Sequence, residues 1–222
     1  MDVLLHSERI LLYLCKNFQM RSFSILFLFL LFLAGCNEQG KEKGKLQAKA
    51  QPAIPAVSRH SEEFNRATSS MLSQYYHLSE KFVQWDSSAI TSETRELQVR
   101  LDSLYLQDLS KETATKAKAL LGETKLHLKP LTMEKGDLQA KRAHFNKASD
   151  GLFRFLQLVK FDRQPLFLQK CPMAFNDTGT GIWISNLDTI RNPYLGMHHP
   201  YYKSGMLHCG ENKEILDYTG NN

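Results

Sequence analysis

The sequence lacks the motifs by which many enzymes are recognised. It contains no His-Glu-x-x-His pair, no Gly-x-Ser-x-Gly turn, no phosphate-binding glycine loop and no Cys-x-x-Cys redox motif. Cys171 together with His198 or His208 offers a nucleophile and a base, but no third group that would orient the base is recognisable. We therefore expect that the protein is not an enzyme.

The sequence also lacks a basic folded surface and a long apolar segment. The formal net charge is only +5, and Lys41, Lys43, Lys45 and Lys49 lie in a segment without apolar periodicity. Nucleic-acid binding needs a basic face on a folded domain, so we expect no nucleic-acid partner. A lysine-rich stalk instead suits an anionic membrane surface. The apolar run of residues 23–33 is too short to span a bilayer, which takes about 20 apolar residues.

Cysteine is scarce, and the four cysteines have different surroundings. Cys15 precedes the apolar run and Cys36 ends it. Only Cys171 and Cys209 lie in the rest of the chain. These two are therefore the thiols available to a folded domain.

The apolar run has the flanks of a secretory signal peptide. Arg21 precedes it and Leu33-Ala34-Gly35-Cys36 follows it. This ending resembles the lipobox of bacterial lipoproteins, whose cysteine is acylated and becomes the first residue of the mature chain. Residues 1–35 are therefore predicted to be a lipoprotein signal peptide, with a lipid anchor on Cys36. A non-cleaved anchor helix is the alternative, although it would need a longer apolar run.

The N-terminal region as a whole is predicted to be a targeting signal followed by a tether. The lead ahead of Met20 is long and mixed in charge for a signal peptide, so Met20 is a candidate for the true start. Residues 36–60 are rich in Gly, Lys, Gln, Ala and Pro and predict a flexible tether. Asn37 follows the lipidated cysteine, which by the sorting rule of proteobacterial lipoproteins favours the outer membrane. We expect a cell-envelope protein anchored in that membrane and facing the periplasm.

Residues 61–163 carry the periodicity of amphipathic helices. The Asp86-Ser87-Ser88 stretch and Ser110 offer N-terminal caps, and Pro130 ends the third helix. Short connections between four such helices predict a mainly all-α fold, an up-and-down four-helix bundle. The apolar stripes, at three- and four-residue steps, consist of Phe64, Ala67, Met71, Tyr75, Leu78, Phe82 and Trp85; Ile90, Thr94, Leu97, Leu101 and Leu104; Ala114, Ala117, Leu121, Thr124 and Leu128; and Leu138, Phe145, Ala148, Leu152, Phe155 and Val159.

Residues 164–222 have a different period and predict a small C-terminal subdomain. It is expected to be irregular with a short β-strand at Gly181-Ile182-Trp183-Ile184, because Gly, Asn, Asp and Pro interrupt the remainder. The segment contains few apolar residues and cannot build a large core alone. We expect it to pack on the helices and to be held by a cross-link or a metal.

Two sulfur-bearing clusters in this subdomain form the candidate site. They lie about forty residues apart, and each offers one thiol and one thioether. Such soft ligands select Cu(I) and other thiophilic ions, and imidazole is a further nitrogen ligand. The candidate metal ligands are Cys171, Met173, Met206, His208 and Cys209, with Met197, His198 and His199 of the intervening loop as weaker candidates.

A disulfide between Cys171 and Cys209 is the competing interpretation. Cysteines outside the cytoplasm commonly pair in this way. Closing a loop of about forty residues would stabilise the fold by roughly 3 to 4 kcal/mol. Met173 and Met206 would then be packing residues. The residues alone leave both interpretations open.

Four spaced motifs resemble a known family. They are Cys171-Pro172-Met173-Ala174, Trp183, Ile190-Arg191-Asn192-Pro193-Tyr194 and Met206-Leu207-x-Cys209-Gly210, in this order. Together with the helical part, over residues 64–211, they resemble a domain of unknown function found in bacterial envelope proteins. That domain also occurs as the C-terminal extension of adaptor subunits of copper and heavy-metal efflux pumps.

The resemblance implies a helical envelope domain associated with metal export. We therefore predict a lipoprotein that binds Cu(I) or another thiophilic ion beside a metal-efflux adaptor or pump. The alternative is a non-catalytic protein-interaction module held by the disulfide. One departure is the loop of residues 197–204, which lengthens the usual connection between the last two motifs. It is either an added set of ligands or an ordinary insertion, which loops tolerate cheaply.

Overall fold

The computed structural model of the chain describes residues 57–133 and 136–220. The predicted signal peptide, the lipidation site at Cys36 and nearly all of the predicted tether lie outside the described residues. None of the described helices combines the length and the apolar character that crossing a membrane requires. The lipid anchor stays a prediction.

Four α-helices come first along the described chain, as the apolar periodicity predicts. Pro130 lies in a 3-10 turn at Lys129–Thr132, directly after the third helix, where its ring ends the α-helical hydrogen bonding. The prediction of four helices is confirmed. They are α1, Glu62–Val83; α2, Ser87–Asp102; α3, Lys111–Leu128; and α4, Leu138–Val159.

Each helix begins at a side chain that accepts hydrogen bonds from free backbone N–H groups. The capping residues are Ser61, Asp86, Ser110 and Asp137, and each accepts from a residue in the first turn. Loss of such a cap typically costs about 1 kcal/mol of stability. The local sequence thus fixes the helix starts, including the two that are predicted at Asp86 and Ser110.

One hydrophobic core joins the helices to each other and to the segment that follows them. α1 meets α4 through aromatic rings, because the Phe145 centroid lies 5.5 Å from that of Tyr75 and 4.5 Å from that of Phe82. Burial of each such side chain contributes about 1.5 to 3 kcal/mol. Most predicted stripe residues are buried, and the half-buried exceptions are Ala67, Trp85, Leu104, Ala114 and Leu138.

Trp85 departs from the predicted helical stripe for a reason that matters to the site. It lies beyond the end of α1 with φ 60°, in the left-handed region that a bulky residue rarely adopts. Its indole N–H donates to the backbone oxygen of Leu195 at 3.0 Å. A contact with the distant loop therefore holds Trp85, and helical periodicity does not predict its position.

A three-stranded antiparallel sheet follows the helices. The strands are β1, Leu166–Phe175; β2, Gly179–Ser185; and β3, Glu211–Leu216, in the spatial order β2-β1-β3. The predicted short strand lies inside β2, whereas the sequence prediction missed β1 and β3. β1 is interrupted by Pro172 and by adjacent polar residues, and β3 is mostly exposed and polar, so neither shows a clean alternation.

Pro172 is tolerated in the central strand because it lies where the pairing of that strand is interrupted. The register with β3 extends only to Lys170, opposite Glu211. The register with β2 is irregular between Cys171 and Phe175. No ladder hydrogen bond is therefore lost to the missing proline N–H.

The helices cover the outer edge of β2. The backbone N–H of Ile182 donates to Asn146 Oδ1 at 2.8 Å, and that of Ile184 donates to the Tyr75 hydroxyl at 3.0 Å. The Tyr75 hydroxyl also lies 2.7 Å from Ser149 Oγ. Side chains of α1 and α4 thus satisfy groups that a strand edge would leave unpaired, and they fix the sheet on the helices.

A buried cation ties α4 to the loop after the sheet. Arg142 is fully buried; its Nε donates to the oxygen of Pro193 at 3.2 Å and its Nη2 to the oxygen of Phe82 at 3.3 Å. The guanidinium carbon lies 3.9 Å from the centroid of the Trp85 ring. Burial lowers the pKa of Arg142 to about 9, so the side chain remains a cation at neutral pH.

We predict that Arg142→Ala lowers the free energy of unfolding by about 3 kcal/mol, because the buried oxygens of Pro193 and Phe82 each lose a hydrogen bond and the Trp85 face loses its cation. Urea unfolding measures the change. Arg154→Ala on the same helix is the matched control, since Arg154 is half exposed and exposed ion pairs contribute at most about 1 kcal/mol. Equal destabilisation by the two variants would contradict the prediction.

Candidate functional site

The structure brings the two predicted thiols together. Cys171 lies in β1 and is fully buried, and Cys209 lies two residues before β3 and is partly exposed. Their Sγ atoms are 3.3 Å apart although 38 positions separate them in the chain. Both are free thiols. The two motif clusters therefore meet through their sulfur atoms, one of them buried in β1.

Gly210 makes this approach possible. Its φ is +141°, a conformation that side chains rarely adopt, and a Cβ there would collide with the backbone oxygen of Lys170 and crowd the Trp183 ring. Only a residue without a side chain lets the backbone pass so close to β1. The Cys-Gly pair in the last motif is thus explained by the geometry around Cys209.

Asn192 holds the backbone of Cys209 in place. Its Nδ2 donates to the Cys209 oxygen at 2.8 Å, and its own N–H donates to the Leu207 oxygen at 2.8 Å. Its Oδ1 accepts from the N–H groups of Tyr194 and Leu195, at 2.8 and 3.1 Å. Asn192 is fully buried, so these bonds are shielded from water and are correspondingly costly to lose.

Tyr194 connects the same turn to the sheet and the helices. Its ring packs against Gly181, the residue paired with Cys171 across β1 and β2. Its hydroxyl donates to the Ile182 oxygen at 2.5 Å and lies 3.2 Å from Asn146 Oδ1. The Asn-Pro-Tyr turn therefore lies between the thiols and α4.

The environment keeps Cys209 protonated at neutral pH. Burial raises its pKa to about 11, and the hydrogen bond and charge of Cys171 act in the same direction. A thiolate is the form that binds metal and attacks electrophiles. A ligand that uses Cys209 must therefore displace a proton.

The other predicted ligands of the two clusters lie in different surroundings. Met173 and Met206 are partly buried and pack against the hydrophobic core. His208 is exposed, and its Nδ1 lies 2.8 Å from the Ile190 oxygen. A carbonyl oxygen only accepts, so Nδ1 must carry the proton and Nε2 has the free lone pair. That tautomer is the one in which a histidine binds a metal through Nε2.

Histidine does not extend the thiol pair into a larger ligand group. Within residues 57–133 and 136–220 no group of three or more His, Cys, Asp and Glu side chains is arranged to hold a metal ion. A metal at this site would have Cys171 and Cys209 as its ligands.

The lengthened loop has a structural histidine. His199 Nδ1 accepts from the N–H groups of Tyr201 and Tyr202, at 3.2 and 3.1 Å, and its ring stacks on Tyr202 at 4.9 Å. Nδ1 is therefore engaged in the turn. His198 is exposed, and the Met197 sulfur lies 3.9 Å from Nη2 of Arg191.

Two residues that shape the site were not identified from the sequence. Arg142 lies between Leu138 and Phe145 at the spacing of the buried stripe of α4, and that spacing could have shown its burial. Asn192 belongs to the Ile190–Tyr194 motif, which in the sequence serves only as a family signature. Its position directly before Pro193 and Tyr194, in a turn, was the available signal.

A comparison with protein families supports the coarser part of the resemblance. The model of a family described as "Protein of unknown function (DUF3347)" matches residues 71–164. The matched span begins within α1 and ends just before β1, so the thiol pair and the Asn-Pro-Tyr turn lie outside it. The chain is thus similar to a domain of unknown function in its helical part. No curated protein and no solved structure matches the chain.

We predict that stability falls between pH 7.5 and 5.5 through His199. Burial, followed by the charges of Arg142 and Lys203, lowers its pKa in the folded chain. The unfolded chain, with a histidine pKa of about 6.5, then binds a proton that the folded chain refuses, so stability is lost as the pH falls below about 6.5.

Urea midpoints at several pH values test this. In His199→Asn the side-chain oxygen still accepts from the turn but does not titrate, so its midpoint should change less over the same range. An identical pH dependence of variant and parent would contradict the assignment to His199.

We predict that Asn192→Ala lowers the free energy of unfolding by about 2 to 3 kcal/mol, because the partly buried Cys209 carbonyl and two buried N–H groups lose their partners. It should also speed alkylation of Cys209, whose backbone it releases. Asn186→Ala, at an exposed position, is the control. Unfolding and alkylation rates that match the control would show that Asn192 does not hold the site.

Proposed function

We propose that this chain is a membrane-anchored lipoprotein of the cell envelope that binds Cu(I) or another thiophilic ion through Cys171 and Cys209. The observation that carries the proposal is the pair of free thiols with sulfur atoms 3.3 Å apart, one buried and one partly exposed. Soft sulfur ligands discriminate in favour of Cu(I) over harder divalent ions. Two sulfurs brought together by the fold require little rearrangement to share one ion.

The surroundings of the pair suit such a cargo. Met173 and Met206 stand in the same two segments as the thiols, and we propose them as thioether ligands of the ion; both are partly buried. His208 has its Nε2 lone pair free. Because Cys209 has a raised pKa, binding releases protons and should weaken as the pH falls. The ion would be passed on, as cargo, beside a metal-efflux adaptor or pump.

The cellular setting of the proposal comes from the N-terminal sequence. The Leu33-Ala34-Gly35-Cys36 ending supports acylation of Cys36, and Asn37 favours the outer membrane with the domain facing the periplasm. The domain would then stand on a tether long enough to reach a partner in the same membrane.

A second function is favoured by the same sulfur distance. In an oxidising compartment the two thiols are close enough for a disulfide to form with little movement. The chain would then be a non-catalytic protein-interaction module, and the bond between Cys171 and Cys209 would only hold β3 and its loop on β1. Closing that loop would contribute roughly 3 to 4 kcal/mol.

Anaerobic titration of the reduced full chain with Cu(I), against a competing chelator, tests the first proposal. We expect the wild type to bind one ion at this site. The Cys171→Ser, Cys209→Ser double variant should lose at least about 100-fold in affinity, since loss of a supporting residue alone costs 10 to 100-fold. Because the variant retains every other cysteine, it corrects for binding elsewhere.

Equal, weak binding by wild type and double variant would overturn the Cu(I) proposal. The interaction-module alternative makes a different prediction for the same samples. Reduction should then lower the free energy of unfolding of the wild type by roughly 3 to 4 kcal/mol and leave the double variant unchanged.

A further inference from the structure

We infer that the thiol pair carries out thiol–disulfide exchange, with Cys209 as the attacking thiol and Cys171 as the resolving thiol. The inference goes beyond metal binding and holds whether or not the pair binds Cu(I). It rests on the unequal exposure of the two sulfurs, on their contact, and on the way the backbone of Cys209 is held.

The two thiols differ in access. Cys171 is 0% exposed and lies in the central strand, with β2 on one side and β3 on the other. Cys209 is partly exposed and follows the exposed His208 at the end of the loop. A disulfide-bearing reagent from solvent should therefore react at Cys209 before Cys171, which requires local unfolding to be reached.

The buried thiol is nevertheless in position for the second step. The sulfur atoms are already 3.3 Å apart, so a mixed disulfide on Cys209 keeps the Cys171 sulfur beside the bond that must be attacked. Asn192 binds the backbone oxygen of Cys209, and Gly210 lets the following backbone pass close to β1. Resolution inside the molecule is therefore favoured over a second encounter with reagent.

The chemistry balances with a small disulfide as the oxidant. Cys209 loses its thiol proton, its sulfur attacks one sulfur of the reagent, and the first reagent thiolate leaves. Cys171 then loses its proton and attacks the Cys209 sulfur of the mixed disulfide, and the second reagent thiolate leaves. The protein dithiol gives up two electrons and two protons, and the reagent disulfide becomes two thiols.

The test uses the reduced full chain and the aromatic disulfide 5,5′-dithiobis(2-nitrobenzoate) under anaerobic conditions. Adducts are located by mass mapping of the Cys171 and Cys209 peptides, so other cysteines do not interfere. The wild type should end with the two peptides joined and free of reagent. Cys171→Ser should keep one aryl group on Cys209, because no resolving thiol remains.

The reciprocal variant provides the discriminating result. In Cys209→Ser the native Cys171 thiol should react at less than about a tenth of the rate of Cys209 in Cys171→Ser, and it should react fully once urea unfolds the chain. Circular dichroism serves as the control that both variants are folded. Comparable native rates, or a wild type that carries aryl groups on both cysteines, would overturn the inference.

Discussion

The buried guanidinium of Arg142 is the constraint on which the rest of the site depends. A charge in a protein core is costly unless hydrogen bonds and polarisable groups compensate. Among the described residues Arg142 has no carboxylate in an ion pair, and it is held by two backbone oxygens and the face of Trp85. The end of α1, the left-handed Trp85 and the oxygen of Pro193 must therefore meet at one point. The irregular loop that contains Pro193 is therefore fixed in space by its contact with Arg142.

The positions of the two thiols depend on the contact of Arg142 with Pro193. Pro193 stands between Asn192, which binds the Cys209 oxygen, and Tyr194, which packs on the residue opposite Cys171. The turn of residues 192–194 thus contacts both cysteine-bearing segments, and Arg142 of α4 holds the turn through the oxygen of Pro193. This arrangement explains how a segment with little core of its own brings two sulfurs together across 38 positions.

The parts that sequence predicts are those governed by local rules. Helix starts at Asp86 and Ser110 follow from capping, and the buried stripes follow from helical spacing. The sequence prediction missed β1 because pairing on both sides buries polar residues in this strand. It missed β3 because this strand lies at the edge of the sheet and is mostly polar. The left-handed Trp85 depends on a partner more than a hundred residues away. Composition and the predicted compartment make Cys171 and Cys209 candidates for pairing, whereas their contact depends on the tertiary structure.

Mass spectrometry of the intact protein, isolated anaerobically without reductant and combined with metal analysis of the same sample, tests the central claim most directly. If Cys171 and Cys209 form a thiol site for a thiophilic ion, the chain should carry either both thiols free or one bound copper ion. Serine at both positions should remove the copper. A metal-free chain, lighter by two hydrogen atoms and with the two cysteine peptides joined, would contradict the claim that the pair holds a metal ion.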